Sequence, residues 1–192
     1  MIYLIRHGRT RLNADGRLRG RIDVPLDDVG VRQAEALGVL FAGVPLTVVV
    51  SSPLIRARAT AEPIARSTGA AVEIGDAFSD RDWGSWAGTC VSDLVERFGG
   101  LDAAPGGEAL VVFRDRIVDA TRRIAAAHED EAIGIVAHDA VNRMLLATLA
   151  VNTPDDPDAI PQRCGCWNRL EPSGDDYVAG VVDAIPGEGV VP

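Results

Sequence analysis

Lysine is missing altogether: all nineteen basic residues of this 192-residue chain are arginine. Any anion site must therefore use guanidinium forks, whose paired donors match phosphate oxygens. Composition bias in a genome explains such an absence equally well, so it limits the chemistry without choosing it. A positive balance is missing too. The formal net charge of −9 speaks against nucleic acid as a partner. No apolar run approaches the ~20 residues of a membrane span, so no membrane partner is expected. No signal-peptide pattern precedes the first apolar segment, and the expected location is cytoplasmic. Cysteine is scarce. Cys90, Cys164 and Cys166 make no disulfide framework, and Cys164-Gly165-Cys166 lacks a second Cys/His pair at zinc spacing. Reduced structural thiols are expected, with no metal and no cofactor. Repeats and low-complexity tracts are also absent.

What remains suits one folded domain, expected over residues 1–185 with a frayed tail at 186–192. The apolar fraction is 47%, ordinary for a globular chain. Three short apolar runs, at residues 2–5, 46–50 and 132–137, read as strands buried on both faces. Helical periodicity falls at residues 31–42, in a helix after Ser51-Ser52-Pro53, at 91–98, at 108–128 and from Asp139 onward. Residues 70–74 form a short strand near an edge, and two further strands are predicted at 166–170 and 177–182. Alternating strands and helices predict a mostly parallel sheet with helical crossovers.

The three buried strands end on chemistry. The first delivers Arg6 and His7, followed by Gly8, which permits a sharp turn or a close ligand approach. The second runs into Ser51-Ser52-Pro53, an N-cap signal, with Arg56 in the first turn beyond it. The third ends on His138. Open α/β sheets bind ligands at the carboxyl ends of their strands. Four cationic or potentially cationic groups meeting there in an acidic protein call for an anion, and phosphate is the natural candidate. The plainer alternative for Arg6-His7 is a pair that ends a strand in solvent. His128, followed by Glu129 and Asp130, reads as a surface residue complementing a helix end. In the polar stretch 14–25, Arg17, Arg19 and Arg21 alternate. Arg17 is expected in solvent, whereas Arg19 and Arg21 flank Gly20, where backbone can approach a ligand. The tryptophans at 83 and 86 are expected to pack, and residues 99–107 to link two helices, as part of a mobile cover.

The segment Arg6-His7-Gly8-Arg9-Thr10-Arg11-Leu12-Asn13 resembles the signature of the histidine phosphatase superfamily, the phosphoglycerate-mutase-like proteins. The resemblance continues through residues 20–26, 51–57 and 82–88 and returns at Val136-Ala137-His138. It implies a three-layer α/β/α sandwich with a mostly parallel central sheet. It also implies roles. His7 is the nucleophile that becomes a phosphohistidine, and Arg6, Arg56 and His138 hold the phosphoryl oxygens. Asn13 adds a neutral hydrogen bond. Asp80 matches the position of a family glutamate and becomes the general acid, with Asp82 as its rival. Thr10, Gly20, Arg19, Arg21 and Asp139 complete the candidate substrate-binding set.

Several positions depart from the family pattern. Asp139 stands where glycine is common; it either tunes His138 or caps the following helix, and capping is preferred. Arg21 replaces an aromatic residue, and with Arg19 it suggests a place for a second anionic group. The implied function is a metal-independent phosphatase acting on a small phosphorylated metabolite. The alternatives are a phosphoglycerate mutase, disfavoured by the short stretch from Gly88 to His138, and a catalytically weak phosphate-binding regulatory protein. A phosphohistidine-protein phosphatase is a further option.

Overall fold

The computed structural model describes residues 1–192. In chain order the elements are β1 (Ile2–Arg6), α1 (Arg11–Ala14), α2 (Asp28–Phe41), β2 (Leu46–Ser51), α3 (Ile55–Thr68) and β3 (Ala71–Ile74). They continue with α4 (Val91–Phe98), α5 (Leu110–Ala127), β4 (Ala132–Ala137), α6 (Asp139–Leu149), β5 (Trp167–Ser173) and β6 (Asp176–Ala184).

Alternation along β1 sets the layering. Tyr3 and Ile5 pack with Leu37, Phe41, Ala61 and Ile64 of α2 and α3. Ile2 and Leu4 pack with Phe113, Ile117, Val141 and Leu145 of α5 and α6. Successive strand residues face opposite ways, so a strand apolar at every position needs helices on both faces. The result is a three-layer α/β/α sandwich around a six-stranded sheet of order β3-β2-β4-β1-β5-β6. The first four strands in chain order are parallel; β5 and β6 add an antiparallel edge. β3 forms the other edge and is exposed along its length.

Register then places the site. Arg6 pairs with Ala137 across β1 and β4, and Ser51 pairs with Val136 across β2 and β4. His7 and His138 thus leave β1 and β4 at one level, with Ser52 leaving the adjacent β2 one residue below His138 in register.

Local chemistry moved some boundaries. The helix expected at 31–42 starts at Asp28 because Asp27 caps it, accepting from the amides of Val29 and Gly30 at 2.9 Å each. Those are two of the orphan donors that every helix start must satisfy. The cap expected from Ser51-Ser52 is not used in that way. α3 begins after Leu54 without a side-chain cap, and Ser52 Oγ meets the Leu54 amide only at 3.4 Å. The helix expected at 108–128 begins at Leu110, with Glu108 just outside it and its carboxylate held by Arg116 at 2.6 and 2.9 Å. Gly8 serves packing: a Cβ there would lie 2.4 Å from the Gly30 carbonyl oxygen, so the β1 exit and α2 touch backbone to backbone. Trp83 packs with Leu18 and Leu94. Residues 99–107 are tied down at two points, where Arg81 pairs with Asp102 and Trp86 Nε1 donates to the Pro105 carbonyl at 2.7 Å. No helix is long and apolar enough to cross a membrane.

Candidate active site

His7 is fully buried at the end of β1. Its Nδ1 lies 2.6 Å from the Gly8 carbonyl oxygen. A carbonyl only accepts, so Nδ1 carries the proton and Nε2 keeps its lone pair. Arg56 Nε donates to that Nε2 at 3.2 Å. Burial, then Arg56 and Arg6, hold the His7 pKa well below the ordinary imidazole value, because each disfavours a second positive charge. Gly8 N donates to Thr60 Oγ1 at 3.1 Å, and Thr60 in turn donates to the Arg56 carbonyl at 2.8 Å. These two bonds lock the β1 exit onto α3.

Arg56 has no exposed side chain. Besides His7 it reaches the carbonyls of Ile22 and Gly20, at 2.8 Å each, and Asp80 Oδ2 at 3.2 Å. Gly20 therefore orients the guanidinium through its carbonyl. Its φ is +48°, a conformation most side chains resist. Arg6 gives Nη1 to the Gln162 carbonyl and sits 3.4 Å from Asp139 Oδ2. Its Nε is buried without a partner.

His138 stands 5.1 Å from His7 between ring centroids. Its Nε2 is 2.8 Å from Ser52 Oγ. The Ser52 oxygen already receives the weak Leu54 amide contact, and its own proton has only His138 Nε2 to go to. That leaves the imidazole proton on Nδ1, which is buried, unpartnered and 3.9 Å from Asp80 Oδ2. Burial, followed by Arg56 and His7, keeps the His138 pKa well below its usual value, outweighing the opposite pull of Asp139.

Two carboxylates behave oppositely. Asp80, 2% exposed, has its pKa raised by burial and by Asp139, against the pull of Arg56. Burial would raise Asp139 too, but Arg6 and Arg19 outweigh it and hold that carboxyl well below the usual range. Arg19 Nη2 spans both Asp139 oxygens, at 3.1 and 3.0 Å. The residue flanking the α6 start is His138. Asp139 does accept the Ala140 amide at 3.0 Å, but its ionic partners are arginines.

The remaining sequence candidates divide. Thr10 and Asn13 form the reciprocal cap of α1, with Thr10 N and Oγ1 both donating to Asn13 Oδ1 at 3.1 and 2.8 Å; Asn13 Nδ2 is the donor left over. Arg21 does not join Arg19. It is half exposed and faces Asp82 at 3.8 Å and Glu108 at 3.9 Å. Asp82 lies outside the pocket, accepting from the Gly84 amide at 2.8 Å. The sequence reading missed Ser52 and Gln162. Ser52 was visible but assigned to a helix cap. Gln162, in a Pro/Asp-rich loop, gave no signal; its side chain sits in a buried network with Asn142 and Asn168. No three His, Cys, Asp or Glu side chains gather where a metal could be held.

A family model described as histidine phosphatase superfamily (branch 1) matches residues 2–183. The chain belongs to the histidine phosphatase superfamily. With that comes its enzyme class, phosphoric monoester hydrolase. This histidine phosphatase is 30% identical over 154 residues to the Bacillus subtilis (strain 168) protein named Uncharacterized phosphatase PhoE, covering 80% of this chain and 79% of that one. It is 33% identical over 158 residues to a metal-independent phosphoserine phosphatase of Arabidopsis thaliana, covering 75% of this chain and 66% of that one. Among solved structures, the alpha-ribazole phosphatase from Shigella flexneri superposes with a TM-score of 0.83 at 26% identity, over 95% of this chain and 96% of that one.

Proposed function

We propose that this histidine phosphatase hydrolyses a small phosphomonoester, without a metal, through a phosphohistidine on His7. The observation that carries the reading is the fixed tautomer of a buried, neutral His7, with its Nε2 lone pair turned toward Arg56. Around it, the unpartnered Arg6 Nε and His138 Nδ1 are donors without an acceptor. Buried donors in that state are costly unless an anion takes them up.

In the first step His7 Nε2 bonds to phosphorus as the P–O ester bond breaks. Arg56 Nε–H turns from the imidazole to a phosphoryl oxygen, and Arg6 and His138 stabilise the other equatorial oxygens. Asp80, whose raised pKa favours the neutral acid, gives its proton to the leaving alkoxide. In the second step Asp80 takes a proton from water as the oxygen attacks phosphorus, and His7 is released with inorganic phosphate. Asn13 Nδ2 supplies a further hydrogen bond to the phosphoryl group. Asp80 is preferred to Asp82 as the acid because only Asp80 touches Arg56.

The test is phosphate release from a panel of phosphorylated metabolites with EDTA present, comparing wild type with His7→Ala. Release that persists in EDTA and vanishes in His7→Ala is expected. Activity that survives the substitution overturns His7 as nucleophile, and phosphate release that requires bisphosphoglycerate favours the mutase alternative.

A further inference from the structure

Beside Asp80, a cleft of about 270 Å³ leads away from the two histidines toward solvent. Leu18, Trp83, Leu101, Phe113 and Met144 line its apolar part, a surface suited to the organic half of a substrate. Its charged lining is unusual for a site that takes an anion: five aspartates face three arginines. Two of those arginines are already matched. Arg19 Nη2 is bound by both oxygens of Asp139, with Arg19 Nε left buried and unpartnered, and Arg81 is paired with Asp102. The third, Arg143, donates to the carbonyls of Pro157 and Asp158, at 3.5 and 3.0 Å. Asp139 stands at the junction, 3.4 Å from Arg6 of the phosphoryl pocket and lining the cleft itself.

We infer that Asp139 is a specificity-determining residue that cancels Arg19 where the cleft meets the phosphoryl pocket and so selects phosphomonoesters of uncharged or cationic alcohols over those bearing a second anionic group. This rests on the phosphatase reading above and adds the charge class of the leaving group to it. The phosphoryl group keeps its own donors: Arg56, His138 Nδ1 and Arg6 Nε. A carboxylate or second phosphate one or two bonds beyond the ester oxygen would meet the Asp139 carboxylate instead of a free guanidinium. At such separations in a half-buried cleft, like charges repel strongly. An apolar or cationic group meets no such opposition, and the cleft walls favour it.

The experiment uses two non-hydrolysable probes that share a phosphonate and differ in charge: methylphosphonate and phosphonoacetate. Titration calorimetry on the wild-type protein should show phosphonoacetate binding at least tenfold more weakly, although it carries the larger charge. In Asp139→Asn that ratio should shrink at least tenfold, with Asp139→Glu retaining the wild-type preference. The same ordering should appear in kcat/KM for ethyl phosphate against phosphoglycolate, whose carboxylate lies two bonds beyond the ester oxygen. Equal or tighter binding of phosphonoacetate to wild type overturns the inference, whether or not the variants fold. So does an unchanged ratio in an Asp139→Asn protein whose circular dichroism and melting remain native. Failure of methylphosphonate to bind at all removes the phosphoryl-site reading and the inference together, whereas binding without discrimination removes the inference alone.

Discussion

Two hollows lie at opposite ends of the sheet, and the larger has the weaker chemistry. The first, about 460 Å³, sits at the amino ends of β1 and β4, among Met1, Arg122, His128, Glu131 and Tyr177. Its histidine is partly exposed and hydrogen-bonded to Glu131 at 2.7 Å. The second is the cleft of about 270 Å³ at the carboxyl ends, which opens beside two fully buried histidines, a carboxyl whose pKa is raised and three unpartnered buried donors, on Arg6, Arg19 and His138. Volume alone does not make a site. What separates the two is polar chemistry held out of water, an arrangement that folding opposes and that a ligand relieves.

Substitutions can break that contrast. The largest effect is expected for His7→Ala, with phosphate release falling ~10³-fold or more, the scale of losing a nucleophile. No phosphoryl label should remain on the denatured variant after rapid quench. Asp80→Asn should lower kcat/KM, which reports the first phosphoryl transfer alone, by roughly 10²- to 10⁴-fold, the range of a lost general acid. Most of that loss should disappear with p-nitrophenyl phosphate, whose leaving group needs no proton; an equal loss on both substrates would deny Asp80 its role.

The pH profile carries a linked prediction. As the proposed nucleophile His7 must be neutral, and its pKa is held well below that of free imidazole, so kcat/KM should fall on the acid side only well below ordinary histidine titration. As the proposed acid Asp80 must be protonated, and its pKa is raised. The alkaline limb should therefore report a carboxyl above its usual range and flatten in Asp80→Asn, leaving the acid limb in place.

Ser52→Ala should cost roughly tenfold in kcat/KM, in keeping with one lost buried hydrogen bond. Nitrogen-15 spectra should show the His138 tautomers mixed, and Ser52→Thr should restore part of the activity. His128→Ala is the small end of the series. A change within about twofold is expected, as for most surface positions. A large loss there would mean that the amino-end hollow has a function of its own.

Much of this was legible along the chain, for identifiable reasons. Ile2-Tyr3-Leu4-Ile5 and Ala132–Ala137 are apolar at nearly every position, and only a strand covered on both faces uses such a run. Arg6, His7, Arg56 and His138 could be named because each follows directly on a recognisable strand or helix start. Helix starts were less legible. Asp27 outcompeted Val31 as a boundary because a carboxylate can satisfy two amides at once, and no apolar periodicity records that. Ser52 illustrates the opposite error: the same hydroxyl suits a helix cap and an imidazole, and only the arrival of His138 from a strand 86 residues later decided between them.

The order of residues was enough to specify the layers, the polarity of the strands and the groups that meet at their carboxyl ends, since burial and periodicity are local properties. Folding decided the rest. Which nitrogen of each histidine holds its proton, which aspartate has its pKa raised, and the pairing of Arg19 with Asp139 rather than Arg21 all depend on neighbours distant in the chain. Proton positions and pKa shifts answer to separations of a few ångströms, and those arise only when remote segments pack together.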